Sequence, residues 1–462
     1  MTAYALQKLV DSPVRITLFE ASDRLGGKVL TPQFSKAPVR YEAGAAEFYD
    51  YALFDEDPLK DLIAELGLSI APMGGSAVIM KERILSNLDD IREHLGPQAC
   101  QGLVEFDQIA KDSVTRHEFY HSDYPDGANH DPDHRRFDTL LASVSDPETR
   151  SYVENLIHSD LATEPTKTSI TYGLQNYLMN DPAYMRLYGI EGGNERLPRE
   201  LAARIAATVL LEHQVRSIEK IGADLLRVNS VYHGVARQDE FDFVVVALPH
   251  NRLSTVSFTG DRLAEALQKH YAYYDYPAHY LRMTVLFDRP FWRKTLTDSY
   301  WMLDRFGGCC LYDESSREPG NTHGVLGWLL SGEAADDLSQ RTDEQLIAQA
   351  LDSLPDFLAH GREYFLEGRV HRWVGCVNGI PGGIVPQKLD RRHQPEPVEH
   401  PNLFMVGDYL FDSTINGVLD SAQYVAAWLA ALMADYLKAT HDRPQSPPRP
   451  RQPSYQESCD VA

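Results

Sequence analysis

The chain has 462 residues, of which 44 are basic and 67 acidic, for a formal charge of −23. That length exceeds one ordinary hydrophobic core and calls for two domains. The charge argues against nucleic acid and anionic membrane surfaces as partners. Five cysteines, at 100, 309, 310, 376 and 459, show no paired framework and fit a reducing, cytoplasmic setting.

In chain order, Thr2–Val10 reads as an amphipathic helix and not as a secretory leader. Val14–Phe19 reads as a strand, closed by Glu20. An acid at the end of the second strand of a βαβ unit is placed to hydrogen-bond the ribose of an adenine dinucleotide. Gly26 and Gly27 follow, and paired glycines let backbone come close to a phosphate or a ring. The run Phe19–Lys28 (Phe-Glu-Ala-Ser-Asp-Arg-Leu-Gly-Gly-Lys) resembles the flavin-containing amine oxidase superfamily, which also holds protoporphyrinogen oxidases and carotenoid-type desaturases. The usual fingerprint puts strand, G-x-G-x-x-G and helix ahead of that acid, and counting back from Glu20 sets the last glycine just before Met1. The expectation is a flavoprotein shortened at its N-terminus, without the first strand and the glycine-rich turn.

The resemblance implies an α/β fold in which a Rossmann-like domain that binds flavin adenine dinucleotide (FAD) is interleaved with an α+β substrate domain. Residues 1–72, 186–249 and 396–437 are expected in the FAD domain, and 73–185 and 250–395 in the substrate domain. Ser122–Arg136, rich in Asp, Pro, Gly and His, reads as a loop. Tyr188–Pro198 resembles the superfamily's G-G-x-x-x-L-P turn, leading into a helix over 199–207. His213–Ile218 reads as a strand whose Val215 would touch the adenine, and Phe243–Pro249 as a buried strand. Met283–Phe287 and Val325–Leu330 are expected in the substrate sheet. The apolar run Tyr424–Leu437 is too short to span a bilayer, and Lys438–Ala462 turns to a composition expected to be disordered.

Near the end, Asn402–Asp408 is an apolar strand closing on Gly-Asp, and a helix begins around Asn416-Gly417-Val418-Leu419. Such an acid suits a ribityl chain or ribose, and such a helix N-terminus suits the pyrimidine edge of a flavin. An ordinary capped strand–turn–helix is the alternative. Arg282–Trp292 resembles the family's substrate strand, with Arg282 where many members carry a lysine that reaches the flavin through a water. Arginine keeps the charge but cannot lose its proton at working pH. It suits an anionic ring or a substrate carboxylate, or else a structural ion pair. Trp373 supplies one candidate wall of a substrate cage, while Thr414 stands where the family's cage has an aromatic residue.

His117-Glu118-Phe119-Tyr120-His121 matches H-E-x-x-H, a zinc pattern when helical, but no third ligand follows at the usual spacing; a solvated helix end is the simpler reading. Cys376 lies near a position of covalent flavin attachment in some members, one residue out of register with Pro381. Cys309-Cys310 reads as two small apolar fillers. The expected function is hydride transfer from a C–H bond, next to an amine nitrogen, to FAD, with oxygen or another acceptor reoxidising it. A desaturase or porphyrinogen-type dehydrogenase, or a non-catalytic flavoprotein remnant, remains open beside it. The expected cofactor residues are Glu20, Arg24, Gly26, Gly27, Lys28, Val215, Asp408, Gly417 and Val418. Arg282 and Trp373 are expected to face a small-molecule substrate, an amine or amino acid, and no metal is expected.

Overall fold

Alternating runs in the second half of the chain build its largest sheet. The computed structural model describes residues 1–11, 14–51, 57–75, 77–116, 119, 136–222, 224–318, 320–379, 387–411 and 413–441, with 436–441 as backbone alone. The chain forms two compact units, residues 26–198 with 276–386, and residues 1–25 with 199–275 and 387–462.

In the unit of 26–198 and 276–386, seven strands pair in the order Phe365–Asn378, Pro277–Phe287, Gly324–Ser331, Cys309–Asp313, Tyr300–Leu303, Val78–Met80 and Arg83–Leu85. Only Val78–Met80 against Tyr300–Leu303 is parallel. Side chains alternate across a strand. Leu281, Met283 and Val285 therefore share one face with Leu311, Leu326, Trp328 and Leu330 in a dry apolar cluster. Tyr280, Arg282 and Thr284 take the other face, where registers add Trp373 opposite Tyr280 and His371 opposite Arg282. The helix Pro147–Leu161, capped by the Asp146 carboxylate on Thr149 N, lies against this polar face through Ser159, which bonds Met302, and His158, which meets Gly308 and Ser331. Phe48–Asp50 and Ile70–Met73 both pair antiparallel with Arg186–Ile190 in a separate three-stranded sheet.

In the other unit, Ile16–Phe19 pairs in parallel with Ala207–Leu210, and Val244–Val246 in parallel with Leu403–Met405. A four-stranded sheet runs Val235–Phe241, Leu226–Tyr232, His213–Lys220, Ser257–Thr259. The helices Thr2–Leu9 and Ile415–His441 share a cluster in which Leu6, Phe404, Val425, Ala426 and Leu429 are buried.

Several elements differ from expectation. The helix expected over 199–207 spans Arg196–Arg204, because Pro198 is tolerated in a first turn, which needs no N–H from it. Ala207 instead opens an unforeseen strand. The strand expected over 243–249 is only Val244–Val246. The last helix starts at Ile415 and reaches His441, past the expected onset of the tail, and by length and composition Ile415–Asp435 is long and apolar enough to cross a membrane. The unit boundaries fall at 25, 198, 275 and 386, where sequence motifs had suggested 72, 185, 249 and 395. Strand pairing accounts for this: 48–50 and 70–73 are bound to 186–190, and Ser257–Thr259 is bound to Ser217–Glu219. The His117, Glu118 and His121 motif, residues 122–135, Pro381 and residues 442–462 lie outside the described residues.

Candidate functional site

Glu20 sits where Ile16–Phe19 ends. Its backbone is tied to the neighbouring strand by Glu20 N to Leu210 O at 2.9 Å and His213 N to Glu20 O at 2.9 Å. Its carboxylate Oε1 accepts from both Ser22 N and Ser22 Oγ at 2.7 Å. These bonds fix the carboxylate and use one oxygen, leaving Oε2 for a further donor. Arg24 turns back on its own loop, donating to Leu25 O at 3.3 Å. Val215 is half-buried on His213–Lys220, beside a break in register with Leu226–Tyr232.

In the same unit, Gly407 N donates to Ser421 Oγ at 3.1 Å, and Asp408 Oδ1 accepts from Tyr409 N at 3.0 Å. Gly407 has no room for a side chain, since an added Cβ would lie 2.9 Å from the Tyr409 ring. The helix from Ile415 is capped by Thr414, whose Oγ1 accepts from Gly417 N at 3.1 Å. Asn416 Oδ1, in the first turn, is sealed from solvent and has no hydrogen-bond partner among the described residues. Gly417 is buried and Val418 half-buried. Thr414 is thus occupied as a helix cap.

In the unit of 26–198, Gly26 and Gly27 have φ of +116° and +53°. A Cβ built on Gly27 would meet nothing within 4 Å, so this backbone borders open space. Lys28 Nζ donates to Cys376 O at 3.0 Å, and Trp373 Nε1 to Ala43 O at 2.7 Å. Gly44 is packed between them: a Cβ there would lie 1.8 Å from Lys28 O and 3.5 Å from the Trp373 ring. Lys28, Trp373 and Cys376 therefore form one local group. Cys376 also donates its thiol to Val374 O at 3.5 Å.

Arg282 is elsewhere on the polar sheet face and is fully buried (0 % exposed). Its Nη2 bonds Glu314, its guanidinium stacks 5.0 Å from the Tyr312 ring, and its Nε and Nη1 have no hydrogen-bond partner among the described residues. Burial opposes its charge, but Glu314 and the further negative groups around it more than offset that and hold it charged. Gly327 makes the space: a Cβ there would lie 3.2 Å from Glu314 Oε1 and 3.4 Å from Arg282 Nη2. Next to this pair, Arg317 Nη1 lies 2.9 Å from Glu42 Oε1. Glu42 also accepts from Asn194 N and Thr31 Oγ1, both at 2.9 Å. Burial, against the pull of Arg317, raises its pKa to about 7.

Motif reading missed Glu42, Glu314 and Arg317, which are buried in this unit, and Glu47 and Asp160, which are half-buried in it. One signal was available. Tyr41-Glu42-Ala43-Gly44-Ala45-Ala46-Glu47-Phe48 sets two acids inside an otherwise small and apolar run, and buried acids call for partners. Among the described residues no group of three His, Cys, Asp or Glu side chains has metal-binding geometry.

A sequence search of curated proteins finds no match. Solved structures similar to this chain include a putrescine oxidase double mutant, at 18% identity and TM-score 0.73, covering 93% of this chain and 96% of that one. Cyclohexylamine oxidase from Brevibacterium oxydans IH-35A is similar at 20% identity and TM-score 0.69, with 95% and 96% covered. A candidate protoporphyrinogen oxidase from Exiguobacterium sp. 255-15 follows at 17% identity and TM-score 0.64, with 93% and 96% covered. At these identities the likeness establishes a shared mixed α/β fold. The family model described as flavin containing amine oxidoreductase matches residues 1–429, so the chain belongs to that family.

Proposed function

We propose that the protein is an FAD-dependent oxidoreductase that removes two electrons from a C–H bond next to an amine nitrogen. The observation that carries this reading is Glu20: a carboxylate locked at a strand end by Ser22, with one oxygen left over, suits a ribose diol. Other features fit the same cofactor. The Gly26-Gly27 turn borders open space, and the partnerless Asn416 Oδ1 lies in the first turn of a capped helix. FAD, when bound, supplies the two-electron acceptor.

The chain's own residues bind and orient. Glu20 and Val215 would hold the adenosine end, Arg24, Gly26, Gly27 and Lys28 the pyrophosphate and ring, and Asp408 the ribityl chain. Gly417 and Val418, at a helix N-terminus, favour negative charge at the pyrimidine edge. Trp373, pinned to Ala43 O, offers a rigid wall to the substrate. Arg282 places a permanent positive charge on the polar sheet face and has no proton to give. Two of the similar structures are named for oxidation of putrescine and cyclohexylamine, which supports an amine as substrate. Thr414, used as a helix cap, does not supply a cage ring, and this favours a desaturase or porphyrinogen-type dehydrogenase as the second reading.

The test is a visible spectrum of the purified chain after incubation with FAD, followed by anaerobic titration with a panel of amines. Flavin bands that bleach with an amine are expected. Glu20→Ala should weaken FAD binding by about 1.5–3 kcal/mol, the worth of a hydrogen bond to a charged group. A chain that takes up no FAD, or binds it equally with Ala at 20, refutes the reading.

A further inference from the structure

In the unit of 1–25, 199–275 and 387–462, the four-stranded sheet ends on Val235–Phe241, and no strand pairs with its outer side among the described residues. At seven residues it is the longer of the sheet's two edges, the other being the three-residue strand Ser257–Thr259. Val235, Ala236, Gln238 and Glu240 are exposed, Val235 at 65 %. The long edge of the seven-stranded sheet, Phe365–Asn378, is by contrast covered: Ser35 N and Lys36 N donate to Glu367, and Trp373 Nε1 donates to Ala43 O.

The turn ahead of this strand settles which of its backbone groups face outward. Tyr232 and Val235 are opposed across His233-Gly234, whose φ of +46° and +85° fit a type I′ hairpin. The pair that closes such a turn is hydrogen-bonded, and bonded pairs alternate along an antiparallel ladder. Val235, Arg237, Asp239 and Phe241 thus direct their N–H and C=O groups to Leu226–Tyr232, and Ala236, Gln238 and Glu240 aim theirs away from the sheet. An antiparallel second copy has to oppose outward groups with outward groups, so a two-fold axis falls on a residue and never between two. On Arg237 or Asp239 the axis would oppose like charges, which is destabilising. On Ala236 or Glu240 it would set Arg237 against Val235, or Asp239 against Phe241. On Gln238 it sets Arg237 against the partner's Asp239, Asp239 against the partner's Arg237, and Val235 against the partner's Phe241. These are the non-bonded pairs, whose side chains approach most closely.

We infer that Val235–Phe241 is a self-association edge, which joins two copies of this chain antiparallel about Gln238 into one continuous sheet. Charge on an edge strand ordinarily discourages pairing. Here the strand is its own complement. Arg237 already holds Asp239 of the same strand through Nε at 2.7 Å and Nη2 at 2.9 Å. Pairing brings two such couples together head to tail, so that acid and base alternate around a square. The exposed Val235 meets the half-buried Phe241 ring of the other copy. A single strand pair falls short of the roughly 1,200 Å² that lasting complexes bury, so the dimer is a weak one that forms as concentration rises. The inference is independent of the amine reading above.

The test is sedimentation velocity of the full chain over about 1–500 μM, a span that brackets a weak dimer. The wild type is expected to pass from monomer toward dimer across it. Arg237→Asp sets acid against acid and Asp239→Arg sets base against base, and each should weaken self-association at least about tenfold. An equimolar mixture of these two variants restores opposite charges across the axis and should associate within about threefold of the wild type. A chain carrying both exchanges should do the same, and it keeps the ion pair within its own strand, so its result does not hang on a weakened fold. A wild type that stays monomeric throughout, single variants that associate as the wild type does, or a mixture and a double exchange that both stay monomeric overturns the assignment.

Discussion

Glu314→Ala is the sharpest test of how the polar sheet face is held. The Arg282 guanidinium is fully buried, and Glu314, only 5 % exposed, is its one hydrogen-bond partner among the described residues. Nε and Nη1 are already unsatisfied, so the variant would leave a buried charge with no hydrogen bond at all. Removing one member of a buried pair costs about 3–5 kcal/mol. Glu314 also lies 3.8 Å from Arg317 and accepts from Glu42 N at 3.4 Å, which favours the upper end. With a urea slope of about 3 kcal/mol/M, the unfolding midpoint of this unit should fall by about 1–1.7 M. The assay is urea unfolding followed by tryptophan fluorescence, since Trp292, Trp301 and Trp328 are buried in the same unit. Replacing both members, Arg282→Met with Glu314→Leu, should recover at least half of the loss, because paired charges are often exchanged for apolar groups at little cost. A drop below about 0.3 M in the single variant, or a double variant no better than the single, would show that the pair does not hold the face.

Two further outcomes follow from local geometry. Thr414→Ala removes the cap of the helix from Ile415 and should cost about 1 kcal/mol in urea unfolding, while Thr414→Ser should restore most of it; equal midpoints for Ala and Ser would contradict the cap. The His158–Glu164 contact, at 3.2 Å, should make stability depend on pH. Burial opposes charge on His158, but Glu164 outweighs it and raises the imidazole above its ordinary value of 6.5, so that contribution is complete below 6.5 and fades as pH rises through the folded value. His158 lowers Glu164 below its ordinary 4.5, so that share is complete above 4.5 and fades on acidification. The stability gap between wild type and Glu164→Gln should peak between about pH 4.5 and 6.5 and shrink by pH 9; a gap that persists unchanged to pH 9 counts against the ion pair.

What could be read in advance, and what could not, divides along the range of the interactions. Ile16–Phe19 with Glu20, Leu403–Met405 and the capped helix after Thr414 were legible because their signals are local: apolar runs, a closing acid, glycines and a capping residue. Ala207–Leu210 was not, since Ala-Thr-Val-Leu directly after a helix carries no pattern of its own and becomes a strand only by pairing with Ile16–Phe19. The change of unit at residue 25 was hidden likewise, because it depends on Phe48–Asp50 finding Arg186–Ile190 far along the chain. The Arg282 position stood out by motif, but its partner did not: Glu314 is 32 residues away in sequence and is brought near by a short 3₁₀ turn after Cys309–Asp313. Asp160 lay in an unremarkable helical stretch, and its contact with Asn180 is seen only in three dimensions.

The adjacent thiols of Cys309 and Cys310 illustrate a consequence of strand pleating. Consecutive residues of an extended strand point to opposite sides, so Cys309 enters the dry cluster with Leu311 while Cys310 enters the cluster with Tyr300 and Tyr312. The backbone between them acts as a partition. Burial also pushes both thiols far above their ordinary pKa, leaving almost no thiolate. Oxidants and alkylating reagents should therefore spare this pair while the sheet is intact, and the onset of labelling at these two sulfurs would report its opening.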